Sequence, residues 1–274
     1  MSTATPPVHD RAASSRDERS APGRGQRVGV VGAIPARYGS TRLPGKALLP
    51  LAGRPLIEHV YRRVQRVEAL DSVVVLTDDA RIVEAVEGFG GRCELTPSDC
   101  VSGTDRVAWA ARQWSAAAVI NVQGDEPLID PGELGTVARH LIEHPEDPMV
   151  TLATECPEEL VEDPNAVKVV LSRAGYALYF SRSPIPFVRH PGSSRPLLHV
   201  GVYGYQRAAL LELAALAPSP LERTESLEQL RALENGYPIR VLPSSKPSIG
   251  VDTAADLERV ERMMQAGVDR GGAG

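Results

Sequence analysis

Residues 27–46 read RVGVVGAIPARYGSTRLPGK. The apolar run that ends at Ile34 is typical of a buried strand, because it is short, rich in β-branched residues and bounded by Gly and Pro. The loop that follows carries Arg37, Arg42 and Lys46, at intervals of five and four residues. Long cations on one such loop can converge on a polyanion, and exposed backbone N–H groups add partial positive charge. The stretch therefore predicts a phosphate-binding loop at the end of a strand.

This loop differs from two common phosphate motifs. It lacks the spacing of the P-loop and the GxGxxG pattern of dinucleotide-binding folds. Its Arg side chains suit bidentate contacts with phosphate, and its Lys supplies a point charge. We therefore expect a nucleoside triphosphate as the ligand, although the alternative is that these cations are solvated surface charges.

Composition narrows the class of protein. The chain has 274 residues, 42% of them apolar and 24% charged, and a net charge of −5. This length can form one large α/β domain or two smaller ones. The acidic balance argues against a nucleic-acid partner, and no apolar run approaches the length of a membrane span. Cys93, Cys100 and Cys156 lack metal-ligand spacing, so we interpret them as reduced thiols of a cytoplasmic protein.

The sequence divides into three predicted segments. Residues 1–26 have no apolar face and are rich in Ser, Ala, Arg, Pro and Gly, which predicts a disordered tail. Residues 27–266 form the predicted globular domain, and the Gly-rich residues 267–274 form a predicted flexible C-terminus.

Within the domain, β-branched runs alternate with amphipathic ones, as in βα units on a mostly parallel sheet. In the first half we predict strands at 28–34, 71–77, 93–95 and 117–123, with helices at 56–67, around 82–86 and after a cap at Ser102. In the second half we predict antiparallel strands at 149–155, 166–171, 176–180 and 198–205, a helix at 222–234 with Asn235-Gly236 as C-cap, a strand at 239–242 and a last helix capped by Thr253.

Two acidic positions are candidate metal ligands. Asp125 lies in the stretch NVQGDEP, directly after a predicted buried strand, and Asp252 precedes the last predicted helix. Open α/β sheets bind ligands at the C-terminal ends of their strands. Mg²⁺ takes one or two carboxylates together with phosphate oxygens and water, so these two residues are able to hold a metal–triphosphate. The alternatives are a turn residue for Asp125 and an ordinary helix-entry acid for Asp252.

The chain from residue 28 to about 264 resembles the 3-deoxy-manno-octulosonate cytidylyltransferases, or CMP-Kdo synthetases. The matching pieces, in order, are IPARYGSTRLPGK, VSGTDR, VINVQGDEP, NAVKVVLSRAGYALYFSRSPIP, HVGVYGY, SPLERTESLEQLRALENG and GVDTAADLERV. The resemblance implies an α/β fold of the nucleotide-diphospho-sugar transferase type, with a mixed, mostly parallel sheet flanked by helices. It also implies an antiparallel portion at about 150–235 that binds a sugar acid and forms a homodimer.

The reaction implied by the resemblance joins CTP and a 2-keto-3-deoxy sugar acid into a CMP-sugar and pyrophosphate. The resemblance implies that Arg37, Lys46 and Arg42 hold the triphosphate, and that Asp125 and Asp252 bind Mg²⁺. It further assigns nucleotide contacts to three side chains, those of Ser102, Thr104 and Gln123.

For the sugar acid, the resemblance implies five residues: Arg182, His199, Tyr203, Glu228 and Gln229. Arg182 suits the carboxylate, although a rim cation is the alternative. A histidine on a strand is more often structural, and Glu and Gln on a helix more often face solvent. Because adjacent helical residues diverge by about 100°, we expect only one of Glu228 and Gln229 to point squarely into the pocket.

Other functions stay open on the sequence. The nearest alternative is transfer of CMP to a different acidic acceptor, such as a sialic-type acid, or to a polyol phosphate. A silent nucleotide- or sugar-binding relative is expected to have lost Arg37, Lys46, Asp125 or Asp252, all of which are present. A glycosyltransferase is expected to carry a DxD motif after the fourth strand, where this chain has Gly-Asp-Glu-Pro.

Overall fold

The structure is a computed structural model that describes residues 29–39, 43–190, 192 and 195–267. The predicted tail at 1–26, the predicted site residue Arg42 and residues 268–274 lie outside the described residues. The predicted boundaries of the three segments therefore stay predictions.

The described residues contain eleven strands. In chain order they are β1 Val30–Pro35, β2 Pro50–Leu51, β3 Arg54–Pro55, β4 Ser72–Thr77, β5 Cys93–Leu95, β6 Ala118–Asn121, β7 Met149–Glu155, β8 Lys168–Leu171, β9 Ala177–Ser181, β10 Leu197–Gln206 and β11 Ile239–Pro243. Nine of them form one sheet, whose main path runs β11-β7-β10-β6-β1-β4-β5. Strands β2 and β3 form a separate small hairpin.

The main sheet is mostly parallel, as predicted. Strand β1 pairs in parallel with β4 and β6, and β4 pairs in parallel with β5. Strand β10 is antiparallel to both β6 and β7, while β11 is parallel to β7. The β8–β9 hairpin attaches to the start of β10, which confirms the prediction of antiparallel pieces in the second half.

Helices cover both faces of this sheet. They are α1 Leu56–Val64, α2 Ala80–Gly88, α3 Gly103–Ala111, α4 Pro131–Glu143, α5 Arg207–Ala215, α6 Pro220–Glu225, α7 Gln229–Glu234 and α8 Ala254–Gln265. Alternate residues of a strand point to opposite faces, so β1 places Val30 and Ile34 in one apolar core and Val31 and Ala33 in the other. The first core also receives α1, α2, α4 and α8, and the second receives α3, α5 and α7. Within the described residues, no helix combines the length and apolar character needed to cross a membrane.

One predicted helix is wrong. The pattern at 222–234 indicates a single helix, but the structure has α6 and α7, separated at Ser226. Ser226 adopts a left-handed conformation, with φ 53° and ψ 48°, which a continuous right-handed helix cannot contain. Helix α6 has its own start signal, because Ser219 and Glu222 form a capping box and Pro220 is the first helical residue.

Two helices lie where no element was predicted. Helix α4 has an identifiable start, because the Asp130 side chain accepts from the N–H of Gly132 and Pro131 occupies the first helical position. Helix α5 begins at Arg207 directly after β10 and has no side-chain cap at its N-terminus. The other predicted helices and strands are present, with ends that differ by a few residues.

A buried carboxylate ties three elements together at the start of β7. Asp147, only 2% exposed, accepts from His140 Nε2 at 2.6 Å, from the Tyr176 hydroxyl at 2.7 Å and from Arg240 Nε at 3.1 Å. The Arg240 guanidinium also stacks on the Tyr176 ring. Burial opposes the ionisation of Asp147, but these donors outweigh it and hold the pKa of the carboxyl below its ordinary value.

We expect Asp147→Asn to lower the free energy of unfolding at pH 7 by about 3 kcal/mol, because it leaves a partly buried Arg240 without its charged partner. The pKa of Asp147 is lowered in the folded protein. Its ionisation therefore adds stability above the unfolded pKa near 3.8, and that stability is lost as the pH falls through the folded value.

Urea denaturation between pH 2 and pH 7 measures this effect, with the exposed neighbour variant Glu146→Gln as the control. The difference between Asp147→Asn and the wild type should shrink as the pH falls below about 4. A difference at pH 7 no larger than that of the control would contradict the role given to this cluster.

Candidate active site

The loop after β1 is shaped by a left-handed glycine. Gly45 has a φ of 69°, and its N–H donates to the carbonyl of Tyr38 at 2.9 Å. A Cβ at this position would lie 3.1 Å from the Tyr38 ring, so glycine meets both the backbone and the space requirement. A 3₁₀ turn begins at the next residue, Lys46. This geometry fixes Lys46 at the inner end of the loop, while Arg37 lies exposed at its start.

The loop after β6 lies against the loop after β1. The N–H of Val122 donates to the carbonyl of Ala33 at 2.9 Å, which continues the parallel pairing of the two strands. A Cβ at Gly124 would lie 2.8 Å from the carbonyl oxygen of Pro35, so only glycine allows the two loops to approach this closely. Asp125 follows directly and therefore faces the end of β1.

A third segment brings Asp252 to the same place. The N–H of Val251 donates to the carbonyl of Asp125 at 2.9 Å, and the Val251 side chain is fully buried. Thr253 caps α8 in a capping box with Asp256, which confirms the predicted cap. The N–H of Asp252 donates to the same Asp256 carboxylate at 3.1 Å. These contacts fix the backbone on both sides of Asp252.

The Lys46 ammonium lies between the two acids. Its Nζ is 2.5 Å from Asp125 Oδ2 and 3.1 Å from Asp252 Oδ1. Three residues that are far apart in the sequence thus meet at one point, as the sequence analysis expected. Two carboxylates that share one ammonium are close enough to share one small divalent cation. Among the described residues, no group of three or more His, Cys, Asp or Glu side chains is placed to hold a metal ion.

A cavity of about 420 Å³ opens over this cluster. The predicted residues that line it are Arg37, Lys46, Ser102, Gln123, Asp125 and Asp252. Ser102 is here because it caps α3, as predicted, in a capping box with Asp105. The N-terminus of α3 adds partial positive charge to a cavity that already contains three cationic side chains, so the cavity suits a polyanion.

The third of these cations, Arg106, was not singled out from the sequence. It is buried, donates to Thr96 Oγ1 and lies with its Nη2 3.2 Å from Asp78 Oδ2. The sequence feature that points to Arg106 is its position four residues after Ser102, which places both residues on the same face of α3. The Asp78 carboxylate offsets the charge of this guanidinium, so Arg106 contributes hydrogen-bond donors to the cavity wall more than net charge.

A second cavity, of about 80 Å³, lies on the other side of Gln123, whose side chain lines both. Four further predicted residues line it: Thr104, Tyr203, Glu228 and Gln229. Both Glu228 and Gln229 are in this lining, and the expectation that only one of them points squarely into the pocket stays a prediction. Glu228 directly precedes α7 and already has helical backbone angles, with φ −60° and ψ −33°.

The second cavity is lined by fewer charged side chains than the first. Burial raises the pKa of Glu228 and the pKa of the Tyr203 hydroxyl. The Ser102 hydroxyl, which lines the first cavity, donates to Glu228 Oε1 at 3.4 Å, so the two cavities are joined by a hydrogen bond as well as by Gln123. Arg231 lines the second cavity, but the Glu222 carboxylate holds its guanidinium at 2.5 and 2.8 Å.

His199 lies behind this cavity and not in its lining. Its ring is 5.2 Å from the Tyr203 ring, centroid to centroid, and its Nε2 is 2.9 Å from Thr151 Oγ1. The Thr151 hydroxyl donates its one proton to a backbone carbonyl, that of Val202 at 2.7 Å, so Nε2 of His199 is the protonated nitrogen. Burial lowers the pKa of His199 to about 3, which keeps the ring neutral.

Arg182 is placed apart from the other predicted residues. It lines neither cavity, and its guanidinium donates to the carbonyls of Pro164, Glu225 and Ser226. Among the described residues, the structure thus brings together the triphosphate candidates Arg37 and Lys46 with the metal candidates and joins them to most of the sugar candidates. The roles of all these residues stay predictions.

The sequence model of the cytidylyltransferase family matches residues 31–242. A 3-deoxy-manno-octulosonate cytidylyltransferase of Solibacter usitatus is 49% identical over 245 residues, which cover 88% of this chain and 97% of that protein. The corresponding enzyme of Myxococcus xanthus is also 49% identical over 245 residues, with 89% and 98% of the two chains covered.

Among solved structures, a CMP:2-keto-3-deoxy-manno-octonic acid synthetase complexed with CTP superposes with a TM-score of 0.85 at 43% identity, covering 87% of this chain and 99% of that one. The family that the sequence motifs resemble is therefore confirmed. The chain belongs to the 3-deoxy-manno-octulosonate cytidylyltransferase family.

Proposed function

We propose that this protein transfers CMP from CTP to the anomeric hydroxyl of 3-deoxy-D-manno-octulosonate in the presence of Mg²⁺ and releases pyrophosphate. The observation that carries the proposal is the position of the Lys46 ammonium between Asp125 and Asp252, at the base of a cavity lined by further cations. Relatives of nearly the same length bear the name of this activity, and the similar solved structure contains CTP.

The first cavity supports the binding of CTP. Arg37, Lys46 and Arg106 offer forked and single-point donors to phosphate oxygens, and the N-terminus of α3 adds partial positive charge. Phosphoryl transfer requires little covalent chemistry from the protein, so positioning and neutralisation of charge supply most of the catalysis. In this proposal the same cations stabilise the departing pyrophosphate.

Asp125 and Asp252 fit a divalent metal. Their carboxylates face one shared point, and Mg²⁺ in phosphate-binding sites takes one or two carboxylates, with phosphate and water as its remaining ligands. When bound, Mg²⁺ would neutralise charge on the phosphate oxygens and lower the pKa of a hydroxyl group. The Lys46 ammonium would then be available to the triphosphate.

The second cavity supports a polyhydroxylated acceptor. Tyr203, Glu228 and Gln229 provide neutral or partly neutralised donors and acceptors, as a sugar with several hydroxyl groups requires. Because Gln123 lines both cavities, an acceptor here lies next to the nucleotide. In this proposal the hydroxyl of the acceptor attacks the α-phosphorus in line, and pyrophosphate leaves on the opposite side.

Location and assembly belong to the same proposal. Cys93, Cys100 and Cys156 are all free thiols, which supports a reducing cytoplasm. Leu178, at 62% exposed, and Phe187, at 88% exposed, lie within the portion for which the sequence predicts a homodimer. Exposed apolar side chains on one portion of a fold are typical of a surface that pairs with another chain.

A pyrophosphate-release assay tests the function. With CTP, Mg²⁺ and 3-deoxy-D-manno-octulosonate we expect turnover, whereas UTP and ATP should give much less. A sialic-type acid and a polyol phosphate in place of the sugar acid test the alternative acceptors. Faster turnover with either of them, or no turnover with any acceptor, would overturn the proposal.

Asp125→Asn and Asp252→Asn should each lower kcat at least about a hundredfold, because each removes a charged ligand from the metal. Raising the Mg²⁺ concentration should recover part of the activity. The exposed variant Glu159→Gln is the control, and thermal melting shows whether each variant is folded. Normal turnover of Asp125→Asn at low Mg²⁺ would remove this residue from the metal site.

Lys46→Ala should raise KM for CTP about tenfold or more, since one lost charge-assisted contact costs about 1.5–3 kcal/mol. The KM for the sugar acid should change much less. Lys246→Ala is the matched control, because that lysine is exposed and pairs only with Asp130 among the described side chains. Equal changes in the two KM values would refute a specific contact between Lys46 and the triphosphate.

A further inference from the structure

We propose that Arg182 is a positioning residue: its guanidinium holds the left-handed turn at Ser226 that directs Glu228 and Gln229 into the second cavity. The proposal assigns Arg182 a role other than the carboxylate contact that the resemblance implies. It rests on the proposed function for its kinetic test, and a second test below needs no substrate.

The Arg182 guanidinium is committed to backbone carbonyls. Its Nε donates to the carbonyl of Glu225 at 2.7 Å and its Nη2 to that of Ser226 at 3.2 Å. Its Nη1 donates to the carbonyl of Pro164 at 2.8 Å. One side chain thus joins the end of α6, the turn at Ser226 and the segment before β8. Forked donors with this many acceptors hold a backbone in one conformation.

The Glu225 side chain in turn holds the backbone of Arg182. The Glu225 carboxylate accepts from the N–H of Arg182 at 3.0 Å and from the Ser181 hydroxyl at 2.6 Å. Glu225 and Arg182 therefore bind each other twice, each through its side chain to the backbone of the other. Such a reciprocal pair fixes the end of β9 against the end of α6.

A buried lysine also holds the backbone of Arg182. The Lys168 side chain is fully buried, and its Nζ donates to the carbonyls of Arg182 at 2.7 Å, Asp163 at 2.9 Å and Ala166 at 2.5 Å. An ammonium has three donors, and all three are satisfied here. A charged group is stable at this depth only with such a complete set of partners. The position of Arg182 is therefore well determined before any substrate binds.

The turn at Ser226 needs this support. A residue other than glycine rarely adopts positive φ, and the sequence pattern around it is that of one continuous helix. The turn ends α6 and restarts the chain as α7, with Leu227 and Leu230 buried in the core and Glu228 and Gln229 lining the second cavity. A change at Ser226 thus changes the direction of both polar side chains.

Arg182→Met and Ser226→Gly, alone and combined, test the proposal. We expect Arg182→Met to raise KM for 3-deoxy-D-manno-octulosonate about tenfold and to leave KM for CTP unchanged, because only the second cavity is disturbed. Glycine adopts positive φ without cost, so Ser226→Gly alone should be close to the wild type. Added to Arg182→Met, it should return KM to within about threefold of the wild type.

The alternative makes the opposite prediction. If Arg182 contacts the carboxylate of the acceptor, a glycine at position 226 cannot replace the lost charge. The KM of a folded double variant would then stay as high as that of Arg182→Met, and the proposal would be overturned. An unchanged KM in Arg182→Met would overturn it as well. Arg195→Met is the matched control, since this arginine is exposed and its partner among the described side chains, Glu155, is exposed as well.

Two further measurements keep the proposal testable if Arg182→Met does not fold or the wild type shows no turnover. Ser226→Val disfavours positive φ without touching Arg182, and it should raise KM for the sugar acid in the same way; a folded variant with unchanged KM would overturn the proposal. Thermal denaturation of the four proteins of the cycle needs no substrate. We expect Ser226→Gly to suppress the destabilisation by Arg182→Met, and strictly additive effects would overturn the proposal.

Discussion

The triangle of Lys46, Asp125 and Asp252 is the interaction on which the rest of the site depends. Each of the three residues follows a different element, and the backbone next to each is fixed. Gly45 is left-handed before Lys46, Gly124 lies close to Pro35 before Asp125, and the N–H of Val251, before Asp252, donates to the carbonyl of Asp125. Pairing of β1 with β6 makes the first two contacts possible. The electrostatics of the site are therefore a consequence of sheet topology.

Charge is divided between the two cavities in a way that suits two different ligands. The first contains Arg37, Lys46 and Arg106 together with two carboxylates. The cations offer donors to a triphosphate, and the carboxylates offer oxygen ligands to a metal ion. In the second, burial raises the pKa values of Glu228 and Tyr203, and Glu222 neutralises Arg231. The second cavity has fewer charged side chains than the first, and this difference favours the binding of phosphates in the first.

The sequence was sufficient for the parallel sheet, the two metal candidates and the first cavity, because these follow from local signals. An apolar run, a glycine-rich loop and a capping threonine each act within a few residues. Arg106 was missed because its contacts, Thr96 and Asp78, lie on a neighbouring part of the fold. The break at Ser226 was missed for a similar reason, since leucine spacing continues through it, and Arg182, which binds it, lies just after β9.

The two halves of the site are thus built on different principles. At the first cavity, short loops after paired strands set the positions of the charged groups, and glycines allow these loops to approach closely. Next to the second cavity, the long side chains of Lys168, Arg182 and Glu225 bind backbone carbonyls and N–H groups at the turn between α6 and α7. A loop fixed by strand pairing can be predicted from the local sequence, whereas a turn fixed by distant side chains cannot. Around the second cavity, therefore, side-chain geometry and not motif decides the role of a residue.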